Sequence, residues 1–128
     1  MALVTSSKGG MNIEEVEHSK VHKFFFPPSD KIPSKTLDEA SESFELSEDL
    51  TIQARELLPK LYKCFIDSDA TLLEINPLGV SIEGKLLICD NKISIDDNAR
   101  FRQKDIFMLE DLSQKNWKEV EAERYDLN

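Results

Sequence analysis

The sequence predicts an α+β fold, a small mostly antiparallel sheet with packed helices. Three observations carry it: short β-rich runs at 2–5, 21–26, 71–76 and 85–90, an apolar period of three and four from Leu50 to Phe65, and proline and glycine punctuation between the last two runs.

Ala2, Leu3, Val4 and Thr5 form the first strand. Ser6, Ser7, Lys8, Gly9 and Gly10 follow as a small-residue turn; Gly9 and Gly10 suit either a close backbone approach to another group or an ordinary strand-to-helix turn. Asn12 is a good N-cap, and Glu14 and Glu15 suit the positive end of a helix dipole, so a short helix is expected to run to about His18. Val21 to Phe26 is apolar and aromatic enough for a strand, stopped by Pro27 and Pro28.

Residues 27–47 combine Pro27, Pro28 and Pro33 with serines and acids, a composition that predicts a surface excursion without a core of its own. From Glu48 to Asp67, Leu50, Ala54, Leu57, Leu58, Leu61 and Phe65 share one face of a helix. Pro59 interrupts it. A proline inside a helix removes a hydrogen bond and costs ~3 kcal/mol, which predicts a kink or break near Leu58.

Thr71–Asn76 and Lys85–Asp90 read as a hairpin, with Pro77, Gly79 and Gly84 between them. Alternation puts Leu72, Glu74 and Asn76 on one face and Leu73 and Ile75 on the other. A turn centred near Glu83 sets Asn76 opposite Asp90 to within about one residue. Toward the end, Val120, Glu123, Arg124 and Leu127 have helical spacing, and the absence of a capping glycine or proline there predicts a continuation.

Composition bounds the class. The chain has 128 residues, 16 Lys and Arg against 25 Asp and Glu, and a net charge of −9. One domain with a real core fits that length. With pI near 4.7, nucleic acid and anionic membrane surfaces are disfavoured as partners, since both need clustered cations. At 40% apolar and 32% charged the chain is expected to fold, and no apolar run approaches the ~20 residues of a membrane span. The start lacks the pattern of a secretory signal, so the chain is expected to be soluble. Cys64 and Cys89 sit among apolar neighbours and are expected as buried thiols compatible with a reducing compartment.

The charge is not evenly spread. Residues 27–50 carry −5 and residues 105–128 carry −4, leaving the remainder neutral. The hairpin lies in that neutral part. An amide oxygen from Asn76 and a carboxylate from Asp90, with Glu74 two residues back, form the hard-oxygen set that Mg²⁺ accepts alongside water and phosphate. A second reading is a polar hairpin face with Glu74 and Asp90 solvated or paired to Lys85 or Lys92. Asn98, Arg100, Arg102 and Lys104 follow, either to touch phosphates or as a solvated face. His18 and His22 have no constellation around them and receive no role.

The strings EINPL at 74–78 and DNKISIDDNARFRQKDI at 90–106 resemble the β subunit of succinate–CoA ligase. SSKGGMNIEEV at 6–16 is similar to that family's GG-x-x-IE-x-V segment, and SQKNWKEVEAERYDLN at 113–128 is similar to the stretch closing its nucleotide-binding domain. The resemblance implies an ATP-grasp subdomain spanning residues 1–128, the second half of that domain, within a larger subunit. It implies that Asn76 and Asp90 are magnesium ligands on the phosphates of ATP or GTP. It implies that Glu74 approaches a phosphohistidine of the partner α subunit. CoA and succinate would be the other ligands of the full enzyme, and the chain alone is expected to be inactive. The segment at 97–106 looks closer to eukaryotic succinate enzymes, implying the mitochondrial matrix if the source is eukaryotic and the cytoplasm otherwise. Three departures stand out: Asn91 where the family has a small residue, a divergent stretch at 19–50, and Pro59. Competing readings are a non-catalytic truncated paralogue or α-subunit-binding module, and the related malate–CoA ligase or citrate-cleaving enzyme.

Overall fold

The structure is a computed structural model and describes residues 1–109. It divides into a unit from Met1 to Asp96 and a second from Asp97 onward. The helix expected over 113–128 lies outside the described residues.

In the first unit, β1 (Ala2–Ser6) and β2 (Val21–Phe25) pair antiparallel, Ala2 against Phe25 and Ser6 against Val21. The short helix expected between them is instead two 3-10 turns, Ile13–Glu15 and His18–Lys20. Asn12 Nδ2 donates to Glu15 Oε1 at 2.9 Å and so does not cap an α-helix.

The expected excursion at 27–47 needs correction. It contains helix α1 (Ser34–Glu42) and buries Ile32, Ala40 and Ser41. Pro33 stands just before α1, where its fixed φ suits a helix start, and Leu37 N–H bonds back to the Pro33 carbonyl at 2.9 Å. A polar composition still permitted burial because Ile32, Leu37, Ala40 and Phe44 fall on one side.

Helix α2 (Glu48–Asp67) runs through Pro59 without a break. Pro59 is exposed, as is Arg55, whose carbonyl would otherwise accept from position 59. Ala54, Leu58 and Tyr62 are buried on the other face, and each large side chain buried there contributes roughly 1.5–3 kcal/mol, enough to offset the local loss. The core joins Phe26, Ile32, Ala40, Leu58 and Tyr62, with Leu3, Phe24, Leu37 and Phe44 packed around them. The Phe26 and Tyr62 rings lie 5.8 Å apart at 51°, and the Tyr62 hydroxyl donates to the Ser29 carbonyl at 2.6 Å.

Two polar contacts tie these layers together. Arg55 Nε meets Asp38 Oδ1 at 2.6 Å between α2 and α1. Lys20 Nζ meets Glu45 Oε1 at 2.8 Å, which holds the Glu45 carboxyl below its ordinary range and the Lys20 amine above its own. Glu45 sits at φ 56°, in the left-handed region, at the turn between α1 and α2.

After α2 the chain forms one long hairpin with a bend. Strand β3 (Ala70–Ile75) pairs with β6 (Asn91–Ile95), and β4 (Leu78–Val80) pairs with β5 (Leu86–Ile88). The pairings Ile75 with Asn91 and Leu78 with Ile88 belong to one continuous register centred on residue 83. The tip is fastened to α2 by Gln53, whose Nε2 donates to Gly84 O at 3.0 Å and whose Oε1 accepts from Leu86 N at 3.0 Å.

In the second unit a 3-10 turn at Asp97–Ala99 precedes α3 (Lys104–Phe107). The Arg100 guanidinium lies 4.2 Å from the Phe107 ring centroid, and that of Arg102 lies 5.1 Å from Phe101. Among the described residues no helix is long and apolar enough to cross a membrane.

Candidate functional site

The bend of the hairpin brings Asn76 and Asp90 together. Asn76 N–H donates to the Asp90 carbonyl at 3.2 Å, and Cys89 N–H to the Pro77 carbonyl at 3.2 Å, so the ladder continues across the gap between the paired segments. Asn76 therefore stands opposite Asp90. Directly opposed residues have Cβ atoms about 4.5–5.5 Å apart, close enough for two short side chains to share one ligand.

The two side chains are held in different ways. Asp90 is exposed, and its Oδ1 accepts the backbone N–H of Asn91 at 2.9 Å. Any residue at 91 except proline would supply that bond, so the departure there leaves the carboxylate's support unchanged. Asn76 is half-buried and reaches the Gly-Gly turn: its Oδ1 accepts Gly10 N–H at 2.7 Å, and its Nδ2 donates to Met11 O at 2.8 Å. A Cβ placed on Gly9 would come within 3.2 Å of Pro77 Cβ, so Gly9 makes the close approach.

Glu74 lies two residues before Asn76, exposed and in register with Lys92. No ion pair joins Glu74 to Lys92 or Lys85 among the described residues, which leaves the carboxylate solvated.

The donor chemistry suits a small divalent cation. An amide oxygen has two lone pairs, one of which takes Gly10 N–H, and Asp90 keeps its Oδ2. Both are hard oxygens, and magnesium needs few protein ligands when phosphate and water complete its shell. Among the described residues no group of three or more His, Cys, Asp and Glu gathers as a metal cage.

Other expectations changed. Cys64 and Cys89 are both free and exposed, because Cys64 falls on the outer face of α2 and Cys89 at the hairpin bend. Cys89 Sγ would lie 2.6 Å from a Cβ on Gly79, so the glycine makes room for the sulfur. Gly79→Ala is expected to lower stability by no more than about 1 kcal/mol, because the exposed Cys89 sulfur can turn aside, and adding Cys89→Ala to restore it, read by urea unfolding of both variants; equal losses in the single and double variants would reject the clash. Arg100 and Arg102 stack on rings within their own unit, and Lys104 begins α3. His22 pairs with Thr5 in the β1–β2 ladder, and His18 opens a 3-10 turn. The residues that sequence reasoning missed are Met11, which accepts from Asn76, and Gln53, which pins the hairpin tip.

Residues 1–80 match the model of the ATP-grasp domain. The β subunit of ADP-forming succinate–CoA ligase from Bradyrhizobium diazoefficiens is 40% identical over all of this chain, covering 33% of that relative. Those of Nitrobacter hamburgensis and of an Acidovorax strain are each 41% identical, over 100% and 99% of this chain. The chain thus spans about a third of the length of the curated relatives it matches. These relatives are bacterial, which fits a cytoplasmic protein and gives the mitochondrial expectation no support. Similarity to succinate–CoA ligase β subunits runs the length of the sequence, and on the match over residues 1–80 the chain belongs to the ATP-grasp family.

Proposed function

We propose that the chain is the second half of an ATP-grasp domain supplying magnesium–nucleotide ligands to a succinate–CoA ligase, ADP- or GDP-forming. The observation that carries this reading is the position of Asn76 opposite Asp90, their backbones joined at 3.2 Å. Relatives named as succinate–CoA ligase β subunits support it.

In this reading Asn76 Oδ1 and the Asp90 carboxylate hold Mg²⁺ on the phosphates of ATP or GTP. The ion, when bound, neutralises charge on the phosphoryl oxygens. Glu74, exposed and unpaired to the nearby lysines, faces a histidine of a partner α subunit. A carboxylate beside an imidazole orients the ring and favours its cation, which suits a ring that carries a phosphoryl group in transit. Phosphoryl transfer through that histidine would yield an acyl phosphate from succinate, and CoA would displace the phosphate to form the carbon–sulfur bond. The overall reaction is the succinate and succinyl-CoA interconversion of the tricarboxylic acid cycle.

For the chain alone, Mg–ATP is expected to bind no tighter than the millimolar range, a free energy of about −4 kcal/mol, with no acyl-CoA formed. Titration of ¹⁵N-labelled chain with Mg–ATP should perturb the amides around Asn76 and Asp90, and chelation with EDTA should abolish the effect. Perturbation that is unchanged by EDTA, or that avoids residues 74–76 and 90–91, would reject this half-site.

A further inference from the structure

The Gly-Gly turn touches the proposed site at one side chain, and the match between them is chemically specific. Asn76 meets two consecutive residues with opposite demands: Gly10 offers an N–H at 2.7 Å and Met11 a carbonyl at 2.8 Å. A primary amide carries one acceptor and one donor group and satisfies both. An aspartate would set a carboxylate oxygen against the Met11 carbonyl. An amide therefore stands where a carboxylate would give a cation more charge.

We infer that the Gly10–Met11 backbone is the positioning element for Asn76, fixing its amide so that Oδ1 keeps one lone pair for a divalent cation; this rests on the metal reading above. The terminal torsion of asparagine is broad and roughly two-fold, so an unanchored amide presents its NH₂ as readily as its oxygen. With Nδ2 committed to Met11 and Oδ1 to Gly10, only one orientation remains. Gly10 has φ +76°, a conformation open to glycine and, among other residues, best tolerated by asparagine and aspartate. No atom lies within 4 Å of a Cβ built at Gly10, so a side chain there has room. Gly9, flush against Pro77, seats the turn beside the bend.

The test uses Mn²⁺ as a paramagnetic probe on the ¹⁵N-labelled chain. In the wild type Mn²⁺ should broaden the signals of Asn76 and Asp90 together. Gly10→Pro removes the N–H and forbids the positive φ. It is expected to weaken Mn²⁺ binding about three- to tenfold, read from the Mn²⁺ concentration that half-broadens the Asn76 and Asp90 signals. Gly10→Asn keeps the N–H and tolerates the conformation, and should keep the wild-type Mn²⁺ affinity. An Mn²⁺ affinity unchanged from wild type in Gly10→Pro would overturn the positioning role while leaving the metal reading intact. No broadening at either residue in the wild type would overturn both. Should Gly10→Pro fail to fold, the wild type still decides. The Asn76 Nδ2 proton facing Met11 is expected to exchange with solvent at least about tenfold more slowly than the side-chain amide of exposed Asn91, and equal rates would overturn the anchoring.

Discussion

Replacing Phe26 with alanine is expected to cost the first unit about 3–5 kcal/mol. Phe26 is only 8% exposed and meets the Tyr62 ring at a tilt, 5.8 Å between centroids, in the cluster that joins the β1–β2 pair to α1 and α2. Removing the ring takes away its burial and leaves a cavity that Ile32, Leu58 and Tyr62 cannot fill without moving. A unit of this size loses roughly 4–8 °C of Tm per kcal/mol, so the midpoint should fall by more than about 12 °C. The neighbouring Phe25, 76% exposed, provides the control: Phe25→Ala should change stability by no more than about 0.5 kcal/mol. Circular dichroism through a urea titration reads both. A loss under about 1 kcal/mol for Phe26→Ala would place the core elsewhere.

The second large effect is chemical. Asp90→Asn, in a complete β subunit assembled with its α partner, is expected to reduce magnesium-dependent phosphorylation of the α-subunit histidine by at least about 100-fold. Asparagine at 90 retains an oxygen for the Asn91 N–H, so the bend keeps its local support and the unfolding midpoint should stay unchanged. What is removed is the one formal negative charge opposite Asn76. On the proposed function, a magnesium ion held there would then have only the neutral Asn76 amide from this pair. Phosphorylation within about threefold of wild type at saturating Mg²⁺ would reject Asp90 as a metal ligand.

The hairpin turn was legible because its information is local, but the strand partners were not. Beyond Asn76 and Asp90, the runs at 71–76 and 85–90 do not pair with each other, since Ala70–Ile75 pairs with Asn91–Ile95 and Leu86–Ile88 with Leu78–Val80. Pro77, Gly79 and Gly84 punctuate the hairpin, and a turn centred near Glu83 already opposes positions 76 and 90, as the observed register does. Helix α2 was equally readable from its apolar period, but Pro59 misled: an exposed proline costs one hydrogen bond, and the buried opposite face outweighs it. The run Phe24, Phe25 and Phe26 could not be sorted by composition; strand alternation turns the middle ring outward. Helix α1 was hidden because prolines and acids dominate its surroundings while its few apolar residues are spaced for one face. Tyr62 joined the core because Ser29, 33 residues earlier, satisfies its hydroxyl. The grip of Asn76 on Gly10, 66 residues away, depends on tertiary placement, and no local pattern announces it.

That grip also bears on how the molecule ages. Asparagine converts to aspartate mainly when the next residue's backbone nitrogen attacks the side-chain amide carbon, and the attack needs a hydrogen on that nitrogen. Pro77 has none. The route stays open at Asn91, followed by Lys92, and at Asn98, followed by Ala99. The amide that joins the Gly-Gly turn to the hairpin is therefore closed to that cyclisation by its neighbour, so a stored sample should accumulate aspartate at those two positions before position 76.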